Sequence, residues 1–375
     1  MHGKGTMSKA MRAIGLMSGT SMDGIDVALI DTDGEDTVRR GPGESFPYPQ
    51  AFRLLLARSL DVAKSIAVRT ERAGQLAEVE RELTRLTAGA VARFMSAHSI
   101  NAADVDVIGF HGHTVLHRPE RYLTVQIGDG PLLARLTNID VVYDLRAADC
   151  AAMGQGAPLA PVYHRALTAR IKTRPVAVLN IGGVANVTWI GGDGALIAFD
   201  TGPGCAMIDD LALRHTGKPC DEDGALAAAG RADDGLVREY LKHSHFAALP
   251  PKSLDRNQFA LELVEHLSPA DGAATLTAFT AAAIGRALEH FPAEPQLWIV
   301  TGGGRKNRTL MSMIAGHMHN AVVPAEAAGL DGDFIEAEAW AYLAVRSLKG
   351  LPITFPGTTG ADKPLTGGVL ARAGG

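Results

Sequence analysis

The first strong pattern in the chain is a pair of short apolar segments on either side of a stretch of turn-forming residues. Residues 13–17 and 25–31 are mostly apolar, whereas residues 18–24 read SGTSMDG. Two apolar segments joined by glycine, serine and aspartate are typical of a β-hairpin. The pattern therefore predicts a hairpin over residues 13–31.

Helical periodicity follows the hairpin. Apolar side chains recur every three or four residues among mostly Glu, Arg and Thr, at Leu76, Val79, Leu83, Leu86, Ala90 and Phe94. This spacing predicts an amphipathic helix. Short apolar runs at 105–110, 123–127 and 141–144 predict further strands, the first of which leads into the loop HGHT.

A second cycle of the same elements begins near residue 176. Segments at 176–181, 187–190 and 196–199 are apolar and β-prone, and Gly182 and Gly183 follow the first of them. The later segments are an alanine-rich helix at 273–288, a strand at 296–301 that ends at three glycines, and a helix at 336–348. We predict an α/β protein in which a hairpin, further strands and helices occur twice.

Length and composition indicate two globular domains. The chain has 375 residues, of which 46% are hydrophobic and 21% charged, and such a length usually exceeds one hydrophobic core. We place an N-terminal domain at residues 7–150 and a second domain at 151–345. We expect residues 345–375 to pack back on the first domain.

Charge and cysteine content exclude several classes of protein. The net charge of -5 provides no basic surface for nucleic acid, and no apolar run is long enough to cross a bilayer. Cys150, Cys205 and Cys220 are too few for a disulfide framework, which favours a reducing compartment. We expect a cytoplasmic protein that acts on a small molecule.

The hairpin turn is the first candidate for chemistry. Its glycine and hydroxyl residues can expose backbone N–H groups to phosphate oxygens, and the absence of GK[ST] argues against a P-loop. Asp23 and Asp26 can hold a hydrated Mg²⁺ beside such phosphates. A plain tight turn is the competing interpretation. The candidate ATP contacts are Ser18, Gly19, Thr20, Ser21, Met22, Asp23, Gly24 and Ile25.

Two more glycine-rich turns follow strands of the second cycle. They lie in NIGGVANVTWI and in VTGGGRKN. Glycine lets a flat group such as adenine or ribose approach the backbone closely, and an ordinary turn is the alternative for each motif. The candidate ATP contacts here are Gly182, Gly183, Gly302, Gly303, Gly304 and Asn307.

A carboxylate at a strand end is the candidate for acid–base chemistry. In AFDTGPGC, Asp200 is predicted to end an apolar strand and to precede a glycine-rich loop. A carboxylate in such a position is well placed as a general base, and an aspartate that caps a turn is an alternative of equal weight. Cys205 closes the same motif and is interpreted as a structural thiol.

Polar loop residues form the candidate substrate site. The segment DLRAADCAAMGQG carries Arg146, Asp149 and Gln155, and such groups bind sugar hydroxyls and carboxylates. Arg146 can pair with an acidic group of the substrate, whereas an internal ion pair with Asp144 or Asp149 is the competing interpretation.

Three histidines follow the strand at 105–110. His111, His113 and His117 are spaced like metal ligands, but no cysteine or glutamate completes a recognisable zinc site. We therefore interpret His111 as a contact to substrate.

Eight segments of the chain form a characteristic set, which in chain order is GLMSGTSMDGID, VQIGDG, GQGAPLAPVYH, NIGGVANV, FDTGPG, PPKSLDRNQF, TGGGRKN and EAEAWAYLA. Taken together, these segments resemble the anhydro-N-acetylmuramic acid kinase family. They span nearly the whole chain in the order of the family. The chain departs from the family pattern at Cys205, which stands for Asn, at His113 for Gln, and at Met153 for Gly.

The resemblance implies a fold, a reaction and roles for residues. The fold is α/β, with two ribonuclease-H-like lobes of the actin-like ATPase superfamily and a nucleotide cleft between them. Members use ATP and Mg²⁺ to open 1,6-anhydro-N-acetylmuramic acid with water and to phosphorylate O6, in cell-wall recycling, and we expect a homodimer. By motif, Asp200 matches the catalytic aspartate, Glu336 a glutamate beside the cleft, residues 18–25 the first phosphate loop and residues 302–304 the adenosine side.

Other functions on the same fold stay open. A kinase of another sugar or small acid, a phosphatase, or a non-enzymatic ATP-binding protein such as a filament or chaperone would share the glycine turns. The chain is too short for the added peptide-binding domain of a chaperone. Fold alone does not separate the other possibilities, so the resemblance rests on the whole set of motifs.

Overall fold

The computed structural model describes residues 9–19, 22–254 and 258–374, which form two compact units. The first unit holds the residues up to Arg170 together with those from Phe334 onwards, and the second is Ile171–Asp333. The sequence suggested boundaries at 150/151 and near 345. Residues 151–170 join the first unit because Tyr163 is buried there and donates a hydrogen bond to Glu338 on the last long helix.

Strands and helices alternate in both units. In the described residues the strands are β1 (Met11–Met17), β2 (Gly24–Thr32), β3 (Val38–Pro47), β4 (Val107–Phe110), β5 (His113–Arg118), β6 (Leu123–Ile127), β7 (Val141–Tyr143), β8 (Val176–Ile181), β9 (Val184–Ile190), β10 (Leu196–Pro203), β11 (Leu297–Thr301), β12 (Ala321–Pro324) and β13 (Val369–Ala371). The α-helices are α1 (Gln50–Ala63), α2 (Leu76–Ala97), α3 (Gly130–Thr137), α4 (Ala147–Ala151), α5 (Pro161–Leu167), α6 (Ala206–Thr216), α7 (Ala225–Ala228), α8 (Asp234–Tyr240), α9 (Pro269–Gly285), α10 (Arg308–His317), α11 (Ile335–Leu348) and α12 (Pro356–Thr359). Within the described ranges, no helix has the length and apolar character needed to span a bilayer.

The first unit is built on a mixed sheet in the order β13-β7-β4-β1-β2-β3. β1 and β2 form the predicted hairpin, with Met17 opposite Asp26. β4 runs parallel to β1, and β7 runs parallel to β4. Because parallel strands end at the same edge of a sheet, the loops after Met17, Phe110 and Tyr143 leave the sheet side by side.

Helix α11 packs so closely on this sheet that its backbone contacts the backbone of β1 and β4. A Cβ atom on Gly15 of β1 would overlap the carbonyl of Ala337, and one on Gly109 of β4 would overlap that of Trp340. Glycine at both strand positions therefore allows the helix to lie directly on the sheet.

Helix α2 confirms the amphipathic helix predicted from spacing. Its periodic side chains are buried in the core of the first unit or packed against it, at Leu76, Val79, Leu83, Leu86, Ala90 and Phe94. Among the charged residues between them, Glu80 is partly buried and pairs with Arg72, and the others face solvent, as the pattern requires.

The second unit repeats the arrangement around a sheet in the order β10-β9-β8-β11-β12. β8 and β9 form an antiparallel hairpin, β10 pairs antiparallel with β9, and β11 and β12 continue parallel to β8. The first unit has the same order in β3-β2-β1-β4-β7. This is the ribonuclease-H-like arrangement, so the predicted fold class is confirmed, and the pattern of elements that occurs twice along the chain corresponds to two sheets with the same strand order.

Strand β10 runs beyond the apolar segment that predicted it. Its pairing with β9 continues to Pro203, with a bulge between Asp200 and Gly202. The prediction that the strand ends at Asp200 was therefore wrong. A bulge bends the strand and changes the direction of its side chains, which keeps Asp200 partly exposed inside the ladder.

Candidate active site

The turn between β1 and β2 is anchored by buried side chains. The hydroxyl of Tyr48 donates to Ser18 Oγ at 2.8 Å, and Ser18 Oγ lies 3.0 Å from Nδ1 of His113. The N–H of Met22 donates to the carbonyl of Gly19 at 3.1 Å, and Met22 has a positive φ of 53°. The side chain of Ser18 therefore points into the protein, and a backbone hydrogen bond links Gly19 to Met22.

Gly24 and Ile25 are held in this region by packing within the first unit. A Cβ atom on Gly24 would overlap the carbonyl of Phe46, so glycine is needed there for pairing with β3. The side chain of Ile25 belongs to the core of the first unit. Thr20 and Ser21 lie outside the described residues.

Two carboxylates flank the turn. Asp23 is exposed, and its backbone carbonyl accepts the N–H of Tyr48 at 2.9 Å. Asp26 is partly exposed and accepts a hydrogen bond from the hydroxyl of Ser45. In the part of the chain that the structure describes, no three His, Cys, Asp or Glu side chains are grouped as metal ligands.

His111 and Arg146 come together against Trp340 of α11. The His111 and Trp340 ring centroids are 4.5 Å apart, and the Arg146 guanidinium lies 5.0 Å from the Trp340 centroid. Arg146 Nη2 is 3.4 Å from His111 Nε2, and Nη1 donates to the carbonyl of Gly156 at 2.8 Å. Burial, helped by the charge of Arg146, lowers the pKa of His111 well below its usual value, so this imidazole is neutral.

Asp149 supports the Gly-Gln-Gly loop, residues 154–156, from the buried side of the loop. Its side chain is buried, and its carboxylate accepts the N–H of Gly156 and the hydroxyl of Thr359, both at 2.7 Å. The backbone N–H of Gln155 donates to the carbonyl of Thr359, while Gln155 itself is partly exposed. Asp149 thus shapes the loop that carries Gln155.

The competing interpretation for Arg146 was an internal ion pair with Asp144 or Asp149. Both of these carboxylates have other partners. Asp144 forms an ion pair with Arg69, and Asp149 is engaged by the loop. Trp340, which sequence analysis missed, lies against the guanidinium. An aromatic residue in a strongly apolar helix is indistinguishable from core by pattern alone.

The three histidines have separate partners. His113 faces Ser18, and His117 Nδ1 lies 3.0 Å from the hydroxyl of Thr124. Burial lowers the pKa of both His113 and His117 to about 4, so both are neutral at pH 7.

Three glycine-rich turns meet at one edge of the second sheet, after β8, β10 and β11. The N–H of Gly204 donates to the carbonyl of Gly183 at 2.9 Å, and that of Cys205 to Gly182 at 2.8 Å. A Cβ atom on Gly304 would overlap a side chain of β8. The turns therefore support one another through backbone contacts.

The predicted ATP-binding glycines differ in what surrounds them. A Cβ atom on Gly303 would meet nothing within 4 Å, and those on Gly182 and Gly183 would meet atoms no nearer than 3.7 and 3.6 Å. Gly302 has a φ of +75°, which favours glycine, and Gly304 is closely packed. The backbone is thus open to a ligand at Gly182, Gly183 and Gly303.

The cysteines are free thiols. Burial raises the pKa of Cys205 to about 12 and that of Cys150 to about 11. Both thiols therefore stay protonated at neutral pH, which agrees with a structural interpretation of Cys205.

Asp200 is oriented by a loop that packs beside β10. One carboxylate oxygen accepts the N–H of Leu254 at 2.8 Å, and the backbone N–H of Asp200 donates to the carbonyl of Lys252 at 3.0 Å. Nε2 of His245 donates to the Asp200 carbonyl at 2.9 Å. Burial lowers the pKa of His245 to about 4, so this donor is a neutral imidazole. The carboxylate is thereby held in a defined direction at a partly exposed position.

Glu336 lies exposed in the first turn of α11. Two positions on, Glu338 is buried and accepts hydrogen bonds from Arg40 Nε at 2.8 and 2.9 Å and from the Tyr163 hydroxyl at 2.7 Å. These contacts hold the start of the helix from which Glu336 projects. Sequence analysis missed this group, because glutamates at i and i+2 point to different sides of a helix and the pattern does not say which side is buried.

Two side chains of the TGGGRKN motif hold the third glycine turn. Arg305, whose side chain is 4% exposed, donates to the carbonyl of Gly302 at 2.9 Å and pairs with Glu326 and Asp333 at 2.7 and 2.9 Å. The side-chain oxygen of Asn307 accepts a backbone N–H at the start of α10 at 2.8 Å. Asn307 thus caps a helix, and Arg305 is a supporting residue that the sequence did not single out.

Solved structures of other proteins resemble this chain at low sequence identity. One is a ROK family glucokinase from Streptomyces griseus in complex with glucose and AMPPNP, at 14% identity and a TM-score of 0.42, covering 88% of this chain and 98% of that chain. Another is the activator of the 2-hydroxyisocaproyl-CoA dehydratase from Clostridium difficile with bound ADPNP, at 12% identity and a TM-score of 0.42, covering 90% of this chain and 96% of that chain.

Sequence relatives are much closer. Anhydro-N-acetylmuramic acid kinase from Methylobacterium nodulans is 54% identical over 373 residues, covering 96% of this chain and all of the relative. The proteins of that name from Rhodopseudomonas palustris and Agrobacterium fabrum are 53% and 51% identical, covering 96% and 98% of this chain and 100% of each relative. The sequence profile described as anhydro-N-acetylmuramic acid kinase matches residues 11–373. This chain therefore belongs to the anhydro-N-acetylmuramic acid kinase family of enzymes.

Proposed function

We propose that the protein uses ATP to convert 1,6-anhydro-N-acetylmuramic acid and water into N-acetylmuramic acid 6-phosphate, in the recycling of cell-wall sugar. The observation that carries the proposal is the setting of Asp200. Its carboxylate is partly exposed, is oriented by Leu254, and lies on the strand that leads into the glycine turns of the second unit. The family match over residues 11–373 supports the reaction in which we propose that this carboxylate takes part.

The glycine turns supply backbone donors for ATP. In the second unit the open backbone at Gly182, Gly183 and Gly303 suits close approach of the nucleotide. In the first unit we assign the segment after Ser18 to the phosphates by its motif, because successive N–H groups in a glycine-rich turn can form a concave anion site. Gly302, Gly304 and Asn307 support these surfaces from within the fold.

Mg²⁺ fits the chemistry of the first turn. Asp23 and Asp26 offer carboxylate oxygens, the hard donors that Mg²⁺ prefers, and Asp23 is exposed to water. We assign these two residues to a hydrated ion, held partly through water. When bound, the ion neutralises phosphate charge as the phosphoryl group moves.

The anhydro sugar places a particular demand on the base. Its O6 is bonded to C1 and carries no proton, so a base has no sugar hydroxyl to deprotonate. We assign Asp200 to take a proton from water as the water oxygen bonds to C1. The C1–O6 bond then breaks, O6 takes the γ-phosphoryl group, and ADP leaves. A carboxylate suits this role because it accepts a proton in the transition state.

The polar edge of the first unit suits the sugar. Arg146 provides a positive charge for the carboxylate of the muramic lactyl group, and neutral His111 and partly exposed Gln155 provide hydrogen-bonding atoms. We assign direct contacts to these three residues and a positioning role to Asp149. Glu336, exposed at the start of α11, is assigned to the catalytic site by its motif.

A substrate panel tests the proposal. ADP release should be measured with 1,6-anhydro-N-acetylmuramic acid, N-acetylmuramic acid, N-acetylglucosamine and glucose at equal concentrations. We expect turnover to be fastest with the anhydro sugar. Faster turnover with a sugar that has a free O6 hydroxyl would support an ordinary sugar kinase instead.

We further propose a cytoplasmic homodimer. Free cysteines favour a reducing compartment, and the dimer is supported by the family resemblance alone. Light scattering of the purified protein should report twice the mass of one chain, and a value of one chain mass would contradict the dimer.

A further inference from the structure

Three buried polar side chains lie behind the first hairpin and join three segments of the first unit. Tyr48 follows β3, Ser18 follows β1, and His113 begins β5; they are 6%, 5% and 2% exposed. The Tyr48 hydroxyl donates to Ser18 Oγ at 2.8 Å, and Ser18 Oγ is 3.0 Å from His113 Nδ1. We call these residues the hairpin anchor.

The anchor holds the turn at both ends. The Tyr48 hydroxyl donates to Ser18, and the Tyr48 backbone N–H donates to the carbonyl of Asp23 at 2.9 Å. Ser18 and Asp23 are the residues at which the turn leaves β1 and approaches β2. A single tyrosine therefore spans the base of the turn.

Burial fixes the direction of the hydrogen bonds. It lowers the pKa of His113 to about 4 and raises that of Tyr48, so at neutral pH the imidazole is uncharged and the phenol keeps its proton. Since the phenol donates to Ser18, the serine proton is available for Nδ1 of His113. Ser18 Oγ is then occupied on both sides by groups of the protein.

We propose that Tyr48, Ser18 and His113 are positioning residues that hold the two ends of the first turn, at Ser18 and Asp23, in place for ATP binding, and that Ser18 acts through this buried anchor and is not itself a phosphate ligand. The inference rests on the proposed function only in taking residues 18–25 as an ATP turn. Backbone N–H groups bind an anion well when they already point to one place. Loss of an anchor bond lets the turn spread over several shapes and weakens ATP binding.

The experiment measures ATP affinity by calorimetry without sugar, followed by kcat and KM for both substrates. Tyr48→Phe and His113→Leu each remove one anchor bond and should weaken ATP binding about three- to tenfold, the effect of one hydrogen bond. KM for the sugar should change less than KM for ATP. His113→Asn places an amide near the Nδ1 position and should restore most of the affinity.

A matched control and a double variant sharpen the test. Tyr240→Phe removes a buried hydroxyl that donates to the carbonyl of Ala260 at 2.9 Å in the second unit, and it should leave ATP affinity unchanged. If Ser18 acts only through the anchor, Ser18→Ala should cost little more when added to the double variant Tyr48→Phe/His113→Leu, in which both anchor bonds of Ser18 are already lost. A full additional loss would show that Ser18 contacts phosphate and would overturn that part of the proposal.

Thermal midpoints of all variants separate positioning from general destabilisation. Unchanged ATP affinity in Tyr48→Phe and His113→Leu would overturn the inference, as would losses that follow the thermal midpoint and are shared by Tyr240→Phe. The binding measurement needs no sugar, so it decides the inference even if the substrate panel contradicts the proposed reaction.

Discussion

At the scale of single residues, Arg305 is the side chain that ties the third glycine turn to the rest of the second unit. Its buried guanidinium joins the Gly302 carbonyl to Glu326 and Asp333. Arg305→Lys keeps the charge but cannot form this fork of bonds. We expect KM for ATP to rise about three- to tenfold with a smaller change in kcat, on the scale of one or two lost hydrogen bonds.

Lys306 offers the control for this substitution. It pairs with the same carboxylate of Asp333, at 2.9 Å, but its side chain is 63% exposed. Because exposed ion pairs contribute little, Lys306→Ala should leave ATP kinetics nearly unchanged. Equal effects of the two substitutions would show that Arg305 has no special part in shaping the turn.

Residue types were more predictable from the sequence than residue environments. Ser18 was predicted to belong to a turn that offers backbone N–H groups to phosphate, and the sequence did not indicate that its hydroxyl is buried between Tyr48 and His113. Asp149 was expected to face substrate, yet its carboxylate is taken up by Gly156 and Thr359. A motif shows which groups are present, whereas the direction of a side chain depends on partners that are distant in sequence.

At the scale of elements, the contact between α11 and the first sheet makes a sharp prediction about glycine. Gly15→Ala and Gly109→Ala would each place a methyl group against the backbone of α11. Overpacking of a close contact typically costs about 1–3 kcal/mol, and a backbone obstacle does not move aside easily. We expect both variants to unfold at lower temperature and at lower urea concentration.

Gly89 provides the opposite expectation. It lies exposed within α2, and a Cβ atom there would meet nothing within 4 Å. Gly89→Ala should stabilise the protein by up to about 1 kcal/mol, because alanine is the better helix former. A destabilised Gly89→Ala, or unchanged Gly15→Ala and Gly109→Ala, would contradict the packing described for these elements.

Elements with a clear hydrophobic period were predicted well, and edge elements were not. The helix over 76–94 and the strands over 123–127 and 176–181 follow their patterns closely. β3 was missed because its sequence, VRRGPGESFP, is polar and rich in glycine and proline, as expected of a strand at the edge of a sheet. Its backbone bonds to β2 are invisible to a search for apolar residues.

At the scale of the whole molecule, the internal repeat was visible but the membership of segments was not. Two hairpin-led cycles predicted two similar sheets, and their shared strand order confirms this. Helix α11 lies on the first sheet at Gly15 and Gly109, and helix α5 joins it there through the buried contact of Tyr163 with Glu338. A contact between residues 175 positions apart cannot be predicted from the local sequence pattern around either residue.

The proposed reaction predicts a specific loss when its base is removed. Asp200→Asn keeps the size of the side chain but removes its basicity. We expect the variant to bind ATP and sugar with nearly normal affinity and to lose about 10²-fold or more in kcat, the scale of general-base catalysis. Normal turnover by the variant would remove Asp200 from the mechanism.

The most direct test of the account follows the oxygen of water during one turnover. The reaction should be run with enzyme in excess in ¹⁸O-labelled water and quenched quickly, and a control sample of unlabelled product, held in the same water for the same time, measures exchange at C1. If water attacks C1, the label appears in the C1 hydroxyl above this control and is absent from the phosphate. Label in the phosphate, or a C1 oxygen no richer in label than the control, would contradict ring opening by water and the role proposed for Asp200.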